Sequence, residues 1–250
     1  MSKRIWIIGG STGIGYELCK YYLEDGYCVI VSARNASSSK ELEKLSLQYN
    51  PGLTLVDMDV SDIKSVQSAT QKAWDSYGEI NVCIYNAGMY ESMKVDNWNL
   101  DHFEQMTQIN YLGAVRITYT LMPFFLKNAK GHFVFNSSIS SYFGLPYGGG
   151  YSAPKAALLN FCESIKPELE EKNIKVQVIN HGFVKTRLTA KNDFEMPQLL
   201  EAKEAARIIS KNITKSNDFE IHFPFMISAF LYFLKVIPYR LAFYFTRKAL

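Results

Sequence analysis

Charge of one sign is what this chain lacks most plainly. Its 27 basic and 24 acidic side chains leave a net charge of +3 over 250 residues. So small an imbalance gives no field of the kind that gathers nucleic acid. Cysteine is sparse as well: Cys19, Cys28, Cys83 and Cys162 stand apart, with no CxxC pair and no Cys/His spacing. That excludes a disulfide scaffold and leaves no metal-ligand set, so no metal is expected. Scattered thiols of this kind suit small buried hydrophobes in a reducing, cytoplasmic compartment. A leader peptide is not expected, because only Ile5–Ile8 follow Lys3-Arg4 before glycines break the apolar run. An internal repeat, a low-complexity segment and an interdomain linker are also missing. The length suits one α/β domain.

What is present is apolar and regularly punctuated. Hydrophobic residues make up 48% of the chain, enough for a large core. Short buried strands are expected at residues 4–8, 28–33, 53–58, 81–85, 132–136, 175–179 and 219–223. Helical patterns fall between them, near residues 39–49, 62–77, 100–127, 151–172 and 199–213. This alternation predicts a parallel sheet of about seven strands with helices on both faces. The segment 187–198 is polar and irregular, a plausible lid over a substrate.

The first strand runs into Gly9-Gly10-Ser11-Thr12-Gly13-Ile14-Gly15 and then a helix. Strand, glycine-rich turn and helix are the parts needed to hold a pyrophosphate. The glycines let the backbone approach, and the helix start offers free N–H groups with a partial positive charge. The second strand ends at Arg34-Asn35 with no acid there. An acid at this place would bind a ribose 2′-hydroxyl, whereas an Arg accommodates a 2′-phosphate, so NADP(H) is preferred over NAD(H). Asp59-Val60 closes the third strand, and its carboxylate can accept from an adenine amino group or serve in a helix cap. Asn86-Ala87-Gly88 closes the fourth, where small residues leave room for a cofactor. Asn110 sits inside a helical stretch that it disfavours, which points to a kink.

Tyr151-Ser-Ala-Pro-Lys155 places a phenol and an ammonium on one helix face, at i and i+4. A nearby cation favours the phenolate, so this Tyr would be drawn toward working pH and could pass a proton to a substrate oxygen. Ser138, delivered by the fifth strand, could hold that oxygen. Pro154 fits only if it lies in the first helical turn.

Gly9-x-x-x-Gly13-Ile14-Gly15, Asn86-Ala87-Gly88, Asn110, Ser138, Tyr151-x-x-x-Lys155 and Gly182-x-x-x-Thr186 occur in this order. The chain resembles the short-chain dehydrogenase/reductase family over about residues 3–190. The resemblance implies a Rossmann-like, doubly wound α/β domain over 1–220, with 221–250 an extension rather than a second domain. It implies a proton donor at Tyr151 and a Lys155 that tunes it and holds the nicotinamide ribose. It further implies a substrate-orienting Ser138, and an Asn110 that holds a water in a proton relay. Val184 and Thr186 match positions against the nicotinamide carboxamide, and relatives are often homodimers or homotetramers. Three positions depart from the pattern: Ile8 for Thr, Tyr85 for Asn, and His181 for Pro.

The expected activity is interconversion of a carbonyl and a secondary alcohol by an NADP(H)-dependent oxidoreductase. A non-catalytic NADP(H)-binding regulator of the same fold is the alternative. Tyr90, Tyr142, Phe143, Leu145, Phe183 and Leu188 are expected near the pocket, with Ser138, Tyr142 and Phe183 against an apolar substrate. The tail is unusual. No Asp or Glu occurs from Ile221 to Leu250, and the apolar run His222–Leu234 stops at Lys235 and Pro238. It is shorter than the roughly 20 residues that cross a bilayer. Two outcomes follow: residues 222–250 contact a membrane peripherally or close over a greasy substrate, or they pack as a helix on the body or in an oligomer interface.

Overall fold

The computed structural model describes residues 3–192 and 194–249. The expected strands form because each is a short, mostly apolar run, and the central ones are buried by the sheet on both faces. They are β1 (Arg4–Ile8), β2 (Cys28–Ala33), β3 (Leu53–Asp57), β4 (Val82–Tyr85), β5 (Gly131–Asn136) and β6 (Ile174–His181). Two short strands, β7 (Val184–Lys185) and β8 (Leu200–Glu201), follow, then β9 (Glu220–Phe223). Among the described residues, seven strands make one parallel sheet in the order β3-β2-β1-β4-β5-β6-β9. β7 and β8 pair separately and frame the expected lid, whose Asp193 lies outside the described residues.

The helices cover both faces. On one side α1 (Gly13–Glu24), α2 (Lys40–Gln48) and α7 (Ala202–Lys215) bury Leu18, Tyr22, Leu42 and Ile209. On the other lie α3 (Ile63–Tyr77), α4 (Leu100–Thr107), α5 (Gly113–Asn128) and α6 (Gly149–Glu170), around Trp6, Phe125, Phe133 and Phe135. Side-chain caps start several of them: Ser39 accepts from Leu42 N, Asp62 from Lys64 N, and Asn99 from His102 N. Asp62, not Asp59, caps α3.

One local outcome gives form to the kink expected at Asn110, and two differ from the sequence reading. The stretch 100–127 is not one regular helix, because residues 108–112 form a π-turn between α4 and α5, with Asn110 fully buried in it. Helix α6 starts at Gly149, so Pro154 is its sixth residue and lies beyond the first turn. Proline there offers no N–H to the Gly150 carbonyl, and the helix tolerates the loss. The tail folds as two helices, α8 (Phe225–Val236) and α9 (Tyr239–Thr246), joined at Ile237-Pro238. Leu231, Leu234 and Ala242 join the main core. No described helix is long and apolar enough to cross a membrane.

Candidate active site

The sheet changes direction between β1 and β4, and open α/β sheets bind ligands at such a point, outside the strands' C-terminal ends. Here one cavity of about 2330 Å³ opens there. It runs from the glycine turn after β1, past the ends of β2, β4 and β5, to α8.

The turn is shaped by backbone needs. Gly9 has φ +81°, and a Cβ there would stand 2.6 Å from the Ala87 nitrogen. A Cβ on Gly15 would come within 2.2 Å of the Gly9 carbonyl oxygen. Helix α1 then begins at Gly13 with neither a side-chain cap from Thr12 nor an acid in its first turn. Its N–H groups and positive pole therefore stay available to an anion. Gly9, Ser11, Thr12, Gly13 and Ile14 line the cavity, and Gly15 packs beneath them. This cradle fits a pyrophosphate. Arg34, Asn35, Asp59 and Val60 line the adjoining end. Arg34 is exposed, and its charge helps hold the Asp59 carboxyl below the usual range. The larger cause is the Ser61 hydroxyl, which donates to Asp59 at 2.6 Å.

Along the strand ends a polar relay ties the walls together. Asn136 Nδ2 donates to Asn86 Oδ1 at 2.7 Å, and Asn86 Nδ2 donates to the Gly9 carbonyl at 2.8 Å. Lys155 Nζ donates to the Asn136 carbonyl at 2.7 Å, and the Ser137 hydroxyl donates to the Lys155 carbonyl. Asn136 was not singled out from sequence. Its one legible signal is an amide that ends an otherwise apolar strand.

Ser138, Tyr151 and Lys155 meet in the middle of the cavity. Ser138 hydrogen-bonds the Tyr151 phenol, the Tyr90 ring stands edge-on to it at 5.1 Å, and Lys155 Nζ lies 5.6 Å from the ring centroid. The electrostatics differ from the sequence expectation. Burial dominates, pushing the phenol up to about 12 against the opposing pull of Ser138. The same burial brings the Lys155 ammonium down to about 7. A half-neutral lysine donating to a carbonyl offers less positive charge to the phenol than an ordinary one.

Asn110 does not face the cavity. Its Oδ1 accepts from Met89 N at 2.9 Å and its Nδ2 donates to Met89 O at 2.8 Å, so the amide braces the loop after β4. Two of the departures gain a reason. Tyr85 donates its hydroxyl to the Ile109 carbonyl inside the π-turn, at 2.5 Å. His181 Nδ1 donates to the Gly182 carbonyl at 2.7 Å, and burial holds this imidazole neutral, with its pKa down at about 4.

Val184, Thr186, Ala87 and Gly88 line the cavity, as do Tyr90, Leu145, Phe183 and Leu188. Tyr142 does not. It turns into the core, donates to Glu220, and meets Tyr232 of α8 edge-on. Phe143 likewise packs on Phe243 of α9. The places expected for them are taken by Met226, Ile227, Phe230 and Leu231 of α8. The sequence concealed this, because an apolar run does not say which wall it covers.

Residues 3–196 match the family described as short chain dehydrogenase. The chain belongs to this family of oxidoreductases. Among its relatives, an uncharacterized oxidoreductase of Myxococcus xanthus is 27% identical over 239 residues, covering 95% of this chain and 94% of that one. The dehydrogenase/reductase SDR family protein 7-like of Drosophila melanogaster is 29% identical over 191 residues, 75% of this chain but only 59% of its own. Solved structures share the fold. A short chain dehydrogenase of Burkholderia cenocepacia in complex with NADP aligns with a TM-score of 0.83 at 21% identity, covering 96% of this chain and 95% of that one. One from Burkholderia phymatum in complex with NAD aligns with a TM-score of 0.82 at 17% identity, covering 92% of each chain.

Proposed function

We propose that this protein interconverts a carbonyl and a secondary alcohol on an apolar substrate, using NADP(H) in preference to NAD(H). The observation that carries the reading is the junction of Ser138, Tyr151 and Lys155 in one cavity that begins at the glycine turn. The turn and the α1 N-terminus would hold the pyrophosphate, and Arg34 the 2′-phosphate. Val184 and Thr186 would border the nicotinamide end. When bound, the nicotinamide supplies or accepts the hydride at the substrate carbon.

In the reducing direction Ser138 donates to the carbonyl oxygen and Tyr151 passes its hydroxyl proton to that oxygen. In the oxidising direction Tyr151 takes the proton back. Lys155, near 7 in pKa, exchanges protons readily at neutral pH and can reset the phenol. Asn110 acts as a positioning residue in this scheme, through Met89. Tyr90, Phe183, Leu188 and the α8 side chains exclude water around the reacting carbon. Assembly as a homodimer or homotetramer in the cytoplasm, with peripheral membrane contact through residues 222–250, completes the reading.

Calorimetric titration with NADPH and NADH is the direct test. Tight binding of NADPH with weak binding of NADH is expected. Equal affinities would sink the Arg34 argument, and the absence of binding to either would sink the oxidoreductase reading.

A further inference from the structure

The α8–α9 hairpin buries only its inner edge. Ser228, Leu231 and Leu234 recur at helical spacing and face the core, with Ala242 beside them. Its outer side is apolar and open to water. Phe225 is 73% exposed, Tyr239 72% and Val236 65%, and Phe233, Leu241 and Tyr244 are exposed as well. The ring contact of Phe230 with Phe245 joins the two helices, and contacts of Tyr239 with Phe243 and Tyr244 with Phe245 extend the patch along α9. A folded chain rarely leaves so many neighbouring apolar side chains uncovered.

We propose that this hairpin docks the protein on an anionic lipid surface, with the mouth of the cavity turned toward that surface. Charge chooses the occupant. Lys235, Arg240, Arg247 and Lys248 are exposed on the hairpin, and no acid occurs from residue 221 to the end. A second copy pairing on this face by a twofold axis would bring cations against cations. Anionic headgroups complement them, and the aromatic rings, apolar with polar edges in Tyr, suit the boundary between headgroups and acyl chains. The helices are too short to cross, so they lie in that boundary.

The mouth argument rests on two residues. Met226 and Phe230 both line the cavity and remain exposed, so one helix supplies the cavity wall and the docking face. Under the proposed oxidoreductase reading, the substrate is then an amphiphilic long-chain carbonyl or alcohol that reaches the cavity from the lipid.

The full chain should be sedimented with vesicles of phosphatidylcholine alone and of phosphatidylcholine mixed with phosphatidylserine. Capture by the phosphatidylserine vesicles, released by salt, is expected. Lys235→Gln with Arg240→Gln should weaken it about 25-fold, from roughly fivefold per cation. Phe225→Ser with Phe233→Ser should weaken it too, while both double variants keep NADPH binding. Capture by neither vesicle, or equal capture by both, overturns the proposal. So does a solution mass that drops to a smaller assembly in Phe233→Ser, which assigns the face to a second copy. Vesicle capture of a protein that binds no NADPH supports docking and removes the oxidoreductase reading with its amphiphilic substrate.

Discussion

At Tyr151 two effects compete. Burial favours the neutral phenol and wins, while the Ser138 hydrogen bond favours the phenolate. A phenol held near 12 stays protonated at neutral pH but is a weaker acid than a free one, so in the resting site burial keeps the proton on Tyr151 without easing its release. Tyr151→Phe keeps the ring against Tyr90 and removes only the hydroxyl. Turnover should fall by about 10²–10⁴-fold while NADPH affinity in calorimetry changes little. Wild-type activity in that variant would remove Tyr151 from the proton path. Arg34 is exposed at the rim and does little for the core, so Arg34→Asp should fold normally. It should shift the ratio of NADPH to NADH affinity by about 10- to 100-fold toward NADH, since each lost charged hydrogen bond is worth roughly 1.5–3 kcal/mol. An unchanged ratio would place the 2′-phosphate elsewhere.

Among the elements, the α4–π-turn–α5 segment does most to position the site. Asn110 pairs both amide atoms with Met89, and Tyr85 caps the carbonyl of Ile109 that the π-turn exposes. Gly113 then leaves space for that Tyr hydroxyl, because a Cβ would stand 2.2 Å from it. Asn110→Leu strands two partly buried backbone groups of Met89 at a cost of about 1–3 kcal/mol. Thermal denaturation should register that loss. The loop 86–89 should loosen, so cofactor KM should rise together with the fall in kcat, a pattern that simple destabilisation without loosening would not give. Asn in a helical stretch was legible as a kink, but its partner was not, because Met89 lies 21 residues away. The glycine turn is partly the opposite case, since Gly15 is pressed by the Gly9 carbonyl within the turn itself, whereas Gly9 is pressed by the distant Ala87. Gly15→Ala drives a methyl into the Gly9 carbonyl and should abolish NADPH binding.

For the whole molecule, buried titratable groups set the pH response. Burial holds His181 down to about 4 and His132 down to about 3, against about 6.5 in an unfolded chain. Below about 6.5 the unfolded chain takes up protons that the folded one refuses, so stability falls as pH drops toward about 4. Lys155, held down to about 7, adds a second limb. From about 7 to about 8.5 the unfolded chain keeps a proton that folded Lys155 lacks, so stability climbs with pH. Above about 8.5 the buried Cys19, Cys83 and Cys162 thiols, pushed up by burial, keep protons that the unfolded chain loses and reverse the slope, and above about 10 the raised Tyr151 phenol adds to the fall. Urea midpoints should follow this profile, with Lys155→Met flattening the limb above 7 and His132→Gln reducing the limb below 6.5. A midpoint independent of pH from about 4 to 6.5 would contradict the buried neutral histidines.

By itself the sequence determined the alternation of strands and helices, the glycine turn after the first strand and the Tyr151–Lys155 pair. Each of these rests on residues within a turn or two of one another, where periodicity and glycine stereochemistry act directly. Only the tertiary structure decided the rest. Tyr142 could not be assigned from sequence, because Glu220, which draws it into the core, lies 78 residues away. The relay from Asn136 through Asn86 to Gly9 joins three strand ends and has no local signature. The apolar tail was legible as unusual, yet its place as cavity wall came from packing, because burial of an apolar surface has no direction until the partner surface exists.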